Sequence, residues 1–186
     1  DASARVAGTA RTESRAYGSL PGEGFTNKGH YIYGGGYAYS NGGNRADASV
    51  GAVSLKVLEG GATYSVRGGG YATATSGGAA ADVNGPISMR LTGLDVREVY
   101  SGGYASGASA SATAESIDCT VGTSEMMSYE CGQASKGDAS VSGTARTLIE
   151  DCPNLYAYVL GGGDASGGGN ASIGRVELTV SGSKAP

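Results

Sequence analysis

Among the residues of this chain that could bind a ligand, tyrosine is unusually frequent: the sequence has 12 Tyr but one Phe and no Trp. Three of them, Tyr37, Tyr71 and Tyr104, follow runs rich in glycine at intervals of 34 and 33 residues. A row of exposed Tyr rings can stack on sugar rings or form a protein-binding stripe, because the ring is large and stiff and has a polar tip. We predict these three residues as ligand-binding candidates, with a row that packs on itself as the alternative.

Catalytic chemistry is poorly supported by the remaining residues. A nucleophile needs a base beside it, but His30, the only His, lies next to no Ser or Cys motif. GxxxxGK[ST] is absent, so the Gly runs indicate backbone corners rather than phosphate loops. Asp47 and Asp82 lie near equivalent positions, where two carboxylates could hold a cation or act as acid and base. The alternative for this pair is solvated polar positions beside turns, and we predict no catalytic residue.

The three cysteines leave several pairings open. Cys119 and Cys131 flank a short segment that a disulfide could staple, Cys131 with Cys152 is nearly as plausible, and three reduced thiols are a further alternative. At least one thiol stays unpaired within the chain because the count is odd. No CxxC occurs and there is a single His, so we expect no zinc site, and we predict no metal and no cofactor.

Charge and composition exclude several classes of partner. The formal net charge is −4 and the charges are spread along the chain, whereas a nucleic acid or an anionic membrane needs a clustered basic face. No apolar run approaches the length of a membrane-spanning helix. Gly, Ala and Ser fill almost half of the 186 positions without a strict G-X-Y period, which excludes collagen.

An internal repeat organises the chain. Similar units occur at YIYGGGYAYS, YSVRGGGYATA, REVYSGGYASG and YAYVLGGGDASG, with a weaker copy at MSYECGQASKG. We call the residue after each Gly-rich run the pivot. The five pivots, spaced by 34, 33, 29 and 31 residues, are Tyr37, Tyr71, Tyr104, Gln133 and Asp164. A β-branched residue lies five positions before four of them, at Ile32, Val66, Val99 and Val159.

A second landmark follows each pivot and predicts strands. Its apolar residues are Val50, Val83, Ile117, Val141 and Ile173. GTART occurs twice, in residues 8–12 and 143–147, which makes the first residues the back half of a further unit. Apolar and polar residues alternate with a period of two, as in VSLKVL, and no long helical stripe occurs. Each unit is therefore predicted to hold about three short strands separated by Gly or Ser/Asn turns.

Such a unit cannot bury a core alone, but it can stack its strands on those of the next unit. We therefore predict an all-β chain, a parallel β-helix (β-solenoid) of about five to six coils of 29–34 residues, with an antiparallel β-sandwich as the alternative. Residues 1–186 form one repeat domain: a partial unit and irregular loop in 1–29, repeats in 30–182 and the start of a linker in 183–186. The opening DASARV lacks an initiator Met, so we expect a piece of a longer protein.

The repeat units resemble those of a known class of proteins. VYSGGYASGASASATAESIDCTV and YVLGGGDASGGGNASIGRVELTVSG are similar to the Gly-rich VYGGGYA-type repeats of large secreted or wall-attached surface proteins of Gram-positive, often gut, bacteria. Those repeats are similar to the right-handed parallel β-helix class seen in adhesins. The resemblance spans nearly the whole chain, and residues 120–135 and 13–30 depart from it. It implies an extracellular, surface-associated structural or adhesive segment.

The expected function follows from these observations. We predict a non-enzymatic segment of a secreted or cell-surface bacterial protein, either a rigid spacer or a surface that binds a glycan or protein through the Tyr row. The expected partners are a host or cell-surface glycan or protein and the neighbouring repeats of the parent chain, with no nucleic acid and no membrane span. The alternative is a polysaccharide-degrading β-helix enzyme, a lyase or a hydrolase.

Overall fold

A computed structural model describes residues 2–15, 31–58 and 62–183. These residues form strands and turns and contain no helix. The strands, in chain order, are β1 (Ala2–Arg15), β2 (Tyr31–Tyr33), β3 (Tyr37–Ser40), β4 (Arg45–Leu58), β5 (Ala62–Arg67), β6 (Tyr71–Ala74), β7 (Gly78–Thr92), β8 (Asp95–Tyr100), β9 (Tyr104–Ser106), β10 (Ala110–Gly122), β11 (Glu125–Ser135), β12 (Asp138–Glu150), β13 (Leu155–Ser166) and β14 (Asn170–Ser181).

Two sheets build the molecule. Sheet A stacks the long strands in the order β1-β4-β7-β10-β12-β14, and sheet B holds β2, β3, β5, β6, β8, β9, β11 and β13. Every strand pair within the described residues is parallel. The predicted parallel β-helix is therefore confirmed. The antiparallel sandwich is wrong, because its strands would pair through hairpins, whereas here each strand pairs in parallel with its equivalent in the next unit.

The chain makes five coils, each passing once through both sheets. Coils 1 to 5 comprise residues 31–58, 62–92, 95–122, 125–150 and 155–181. β1 adds a further layer to sheet A, where it pairs with β4. Most of the predicted irregular loop (residues 16–29), His30 and residues 184–186 of the predicted linker lie outside the described residues.

The strands are longer than the expected three short segments per coil. The second and third segments form one long strand in each coil, and a register shift such as that between Val50 and Val53 marks where they join. A shift of this kind is a β-bulge, which bends the strand without ending its pairing. The short strands before and after the Gly-rich run are separate in coils 1 to 3 but are continuous in coils 4 and 5, as β11 and β13.

Small and branched side chains fill the interior in columns along the stack. The β-branched column predicted before the pivots is present, with Tyr129 of coil 4 completing it between Val99 and Val159. One landmark was misplaced: Ala114, not Ile117, aligns with Val83. Ile117 lies three residues later and belongs to the column of Ile87. The sequence did not distinguish the two positions, because the Ala and Ser residues around Ala114 mark no unique register.

Coil 4 accommodates its larger core residue by a compensating hydrogen-bond network. Tyr129 is fully buried, and its hydroxyl lies 2.5 Å from Thr147 Oγ1 and 2.6 Å from Ser101 Oγ. Thr147 occupies the column that holds Cys119 in coil 3. The polar tip is therefore satisfied inside the core, as a buried phenol requires.

Within the described residues, no helix is long and apolar enough to cross a membrane.

Candidate functional site

The Gly-rich corners bring the two outer segments of each coil together. A Cβ on Gly69 would lie 2.5 Å from the carbonyl carbon of Gly102 in the next coil, so the layers approach too closely there for any side chain. The backbone ladder continues through the corner, since the Tyr71 amide donates to the Gly36 carbonyl at 2.9 Å. Outer side chains before and after the corner meet: the rings of Tyr33 and Tyr37 in coil 1 are 6.2 Å apart, edge to face.

The predicted tyrosines form a stack across three coils. Tyr37, Tyr71 and Tyr104 are aligned in register, and the two further pivots, Gln133 and Asp164, continue the same column. The ring centroids of Tyr37 and Tyr71 are 5.1 Å apart with planes 6° from parallel. Those of Tyr71 and Tyr104 are 4.7 Å apart with planes at 12°. We call these three side chains the Tyr stack.

Exposure differs along the Tyr stack. Tyr37 is 56% exposed, whereas Tyr71 and Tyr104 are half-buried. The same coil presents two further exposed rings, Tyr31 at 49% and Tyr39 at 48%. Partial burial, with smaller contributions from Tyr71 and Tyr39, raises the pKa of Tyr37, so its hydroxyl is a neutral donor and acceptor near neutral pH. The stack therefore packs on itself at its centre and offers an accessible ring in coil 1.

A buried arginine packs against the rings of the Tyr stack. Arg67 is only 8% exposed, and its guanidinium carbon lies 4.7 Å from the ring centroid of Tyr71. The corresponding distances to Tyr104 and Tyr100 are both 4.8 Å. Arg67 Nε donates to Ser65 Oγ at 3.2 Å. A cation at these distances is attracted by the ring faces, and the attraction strengthens where water is excluded.

An acidic group lies two layers along from Arg67. The residues immediately before the corners align as the column Tyr33, Arg67, Tyr100, Glu130 and Leu160. Glu130 is fully buried and accepts a hydrogen bond from the Tyr158 hydroxyl at 2.7 Å. Burial raises the pKa of Glu130, and the charges of Asp164 and Glu98 raise it further, against the Tyr158 hydrogen bond and Arg67.

Two acidic residues also lie side by side in sheet B. Asp95 and Glu125 are register partners in adjacent coils. Burial, followed by the neighbouring charge of Glu125, raises the pKa of Asp95. Glu125 accepts hydrogen bonds from Asn154 Nδ2 at 3.0 Å and from the Tyr156 hydroxyl at 3.3 Å. Both donors belong to residues that follow coil 4 in the chain.

The carboxylates that the sequence singled out are not paired with each other. Asp47 aligns with Ala80, and its carboxylate accepts from Arg45 Nε at 2.8 Å. Asp82 aligns with Ser49 and accepts from Thr113 Oγ1 at 2.7 Å. Each therefore has its own polar partner. In the part of the chain that the structure describes, no cluster of three or more His, Cys, Asp or Glu could hold a metal ion.

The three cysteines are separate free thiols in the core, so the structure contains no Cys119–Cys131 disulfide. All three residues are fully buried. Burial raises the pKa of Cys119 to about 12 and that of Cys131 to about 11. It also raises the pKa of Cys152. Thiols that are buried and protonated act as small apolar core residues.

Sequence analysis did not select Arg67, Glu98 or Glu130. The signal for two of them was present in the repeat, because Arg67 and Glu130 occupy the position before the corner that holds Tyr33 and Tyr100 in other coils. An alignment of that position would have shown a cation and an acid in one column. Glu98 carries no comparable signal, since its register partners Ser65 and Ser128 are small uncharged residues that do not mark a charged column.

Comparison with known proteins returned no match. No family model, curated protein or solved structure matches the chain.

Proposed function

We propose that this chain is a non-enzymatic structural and adhesive segment of a secreted or cell-surface bacterial protein. The observation that supports this proposal most is the Tyr stack. Arg67 packs against its rings, and the stack ends in the ring of Tyr37, which is 56% exposed. The bacterial surface location rests on the resemblance of the repeat units. The solenoid acts as a rigid spacer, because each coil is tied to the next by parallel ladders in two sheets.

The proposed ligand is a glycan that stacks a sugar ring on Tyr37. Stacking needs a flat ring held in one orientation, and Tyr71 holds the other face of Tyr37 nearly parallel at 5.1 Å. Tyr39 lies two residues along the same strand, on the same face as Tyr37, and its exposed hydroxyl can donate to and accept from sugar hydroxyls. Tyr31 is a further exposed ring of the same coil. A preorganised ring loses little side-chain entropy on binding, which favours affinity.

A glycan array probed with the wild-type chain and two variants tests this proposal. Tyr37→Ala removes the exposed platform at the edge of sheet B, and we expect at least tenfold weaker retention of the glycans that the wild type binds. Tyr156→Ala is the matched control, since Tyr156 is 48% exposed but lies in the last coil. If glycan retention falls equally in both variants, or is unchanged in both, the Tyr stack is not the glycan-binding surface. Circular dichroism confirms that each variant keeps its strands.

The alternative, a polysaccharide-degrading enzyme, has one specific observation in its favour. Glu130, with its raised pKa, lies near Glu98 and Asp164, and a protonated acid beside a second carboxylate is the arrangement that glycosidases use. The proposal of a non-enzymatic segment is preferred because Glu130 is fully buried and already accepts the Tyr158 hydroxyl. Release of reducing sugars from a bound polysaccharide, abolished by Glu130→Gln, would establish the enzyme instead.

A further inference from the structure

Two strands of sheet A carry almost the same segment. Residues 6–12 read VAGTART and residues 141–147 read VSGTART, so they differ at one of seven positions. The first segment lies in β1 and the second in β12, four layers away in the same sheet. The repeat has not kept these residues in the intervening strands, so the identity needs an explanation of its own.

The second occurrence of the segment, in β12, is paired on both sides. On the side that corresponds to the open edge of β1 it meets β10, with Arg146 aligned to Asp118. On the other side it meets β14, with Ala145 aligned to Val176 and Arg146 aligned to Glu177. Arg146 Nε contacts Glu177 Oε2 at 2.8 Å. On both sides the VxGTART segment therefore places a small residue in an apolar column and an Arg beside an acidic residue.

The opposite edges of sheet A are open within the described residues, since β1 and β14 are its first and last strands. Both edges expose residues of the core columns. Val6 of β1 is 47% exposed, and Val176 and Val180 of β14 are 42% and 45% exposed. Open strand edges with apolar columns are templates for pairing with a further strand.

We infer that β1 of one copy of this chain adds in parallel to β14 of a second copy. Continuing the register of the sheet by one layer places Val6 on Ile173, Ala10 on Val176 and Arg11 beside Glu177. The apolar columns continue across the junction. Glu177 would then lie between the Arg of two nearly identical segments, one in its own chain and one in the second copy.

The contact is head-to-tail, so it leaves a free β1 at one end and a free β14 at the other and allows open chains of copies. Only sheet A is involved, because no described strand of sheet B lies beside β1. A contact made by a single strand pair is small, and we expect a dissociation constant between about 10 μM and 1 mM.

Sedimentation velocity of the whole chain at increasing concentration tests this inference. Arg11→Glu places two acids side by side and should weaken association at least fivefold. Arg5→Glu is the matched control, because both residues are exposed, both align with a Ser of β4 (Ser54 and Ser49), and Arg5 would meet the uncharged Ser172. We expect Arg5→Glu to stay within twofold of the wild type. A wild-type chain that remains monomeric to about 1 mM, or equal effects of the two variants, would overturn the inference.

A peptide provides a second test that does not depend on the folding of a variant. A labelled peptide of residues 2–15, ASARVAGTARTESR, should bind the wild-type chain with saturation in fluorescence anisotropy and should shorten its assemblies by covering β14. The same peptide with Glu in place of Arg11 should bind at least fivefold more weakly. Equal binding of a scrambled peptide would contradict pairing in register.

Discussion

The guanidinium carbon of Arg67 lies 4.7 Å from the centroid of the Tyr71 ring, in a site where the arginine is only 8% exposed. This contact joins the two sides of the Gly corner, because Arg67 precedes the Gly run and Tyr71 follows it. The outer face of the corner is therefore a packed layer of rings around a cation. Within the Tyr stack, the most exposed ring is that of Tyr37 in coil 1.

Removal of this cation should destabilise the chain. We expect Arg67→Ala to lower the free energy of unfolding by roughly 2 kcal/mol, because both the cation–ring contacts and the packing of the aliphatic stem are lost. Arg90→Ala, at an exposed position in the same coil, should change it by less than about 0.5 kcal/mol. Urea denaturation followed by circular dichroism measures both, and equal effects would show that Arg67 does not brace the stack.

The corner glycines offer a matched pair of substitutions. Gly69→Ala should cost at least about 2 kcal/mol, because its Cβ would meet the backbone of Gly102 at 2.5 Å. Gly162 is the middle glycine of the last run, where a Cβ has nothing within 4 Å, so Gly162→Ala should be close to neutral. Thermal melts of the two variants compare the same position with and without a covering coil. A neutral Gly69→Ala would contradict the stacking of the corners.

The buried acid predicts a pH dependence of stability. Burial raises the pKa of Glu130 in the folded chain, so its stabilising contribution is complete below the ordinary pKa of an unfolded Glu, about 4.3. It is lost as the pH rises through the higher folded pKa. Glu130→Gln keeps an oxygen that accepts from Tyr158 and cannot ionise.

We therefore expect Glu130→Gln to be more stable than the wild type by about 1 kcal/mol near neutral pH and equal to it in acid. Urea denaturation across the pH range measures the difference. Glu115→Gln, at an exposed position of β10, is the control, and its free energy of unfolding should match that of the wild type at each pH. A variant less stable than the wild type at neutral pH would mean that the ionised carboxylate is favourable in the fold.

The thiols should be unreactive in the folded chain. Cys119, with its pKa raised to about 12, and Cys131, at about 11, hold almost no thiolate at mildly alkaline pH and are fully buried. We expect iodoacetamide to label none of the three cysteines in the native chain and all three after denaturation without a reductant. Mass spectrometry counts the labels. A single label after denaturation would instead reveal a disulfide such as Cys119–Cys131.

The architecture could be predicted because the repeat determines which residues become neighbours. Once Tyr37, Tyr71 and Tyr104 are recognised as equivalent positions, stacking of coils places them in one column without further assumptions. The same logic failed at Ile117, where small residues on both sides gave no apolar landmark and the true partner of Val83 was Ala114. Register follows from the hydrophobic pattern only where that pattern is distinctive.

The environment of the Tyr stack could not be predicted to the same degree. Where Arg67 places its guanidinium depends on how sharply the Gly corner bends, and that bend depends on contacts between layers rather than on neighbours in the chain. The burial of Glu130 likewise depends on Tyr158 of the next coil. Contacts between side chains across a corner or between coils can be predicted only when the geometry of the stacked coils is known.

The most direct test of the account is an NMR titration of the chain, with its tyrosine rings labelled with carbon-13, against an oligosaccharide retained on the array. We expect the ring signals of Tyr37 to shift most and to saturate with the binding curve, while those of Tyr156 stay unchanged. Saturable binding that leaves the Tyr37 ring signals in place would contradict the assignment of the Tyr stack as the binding surface.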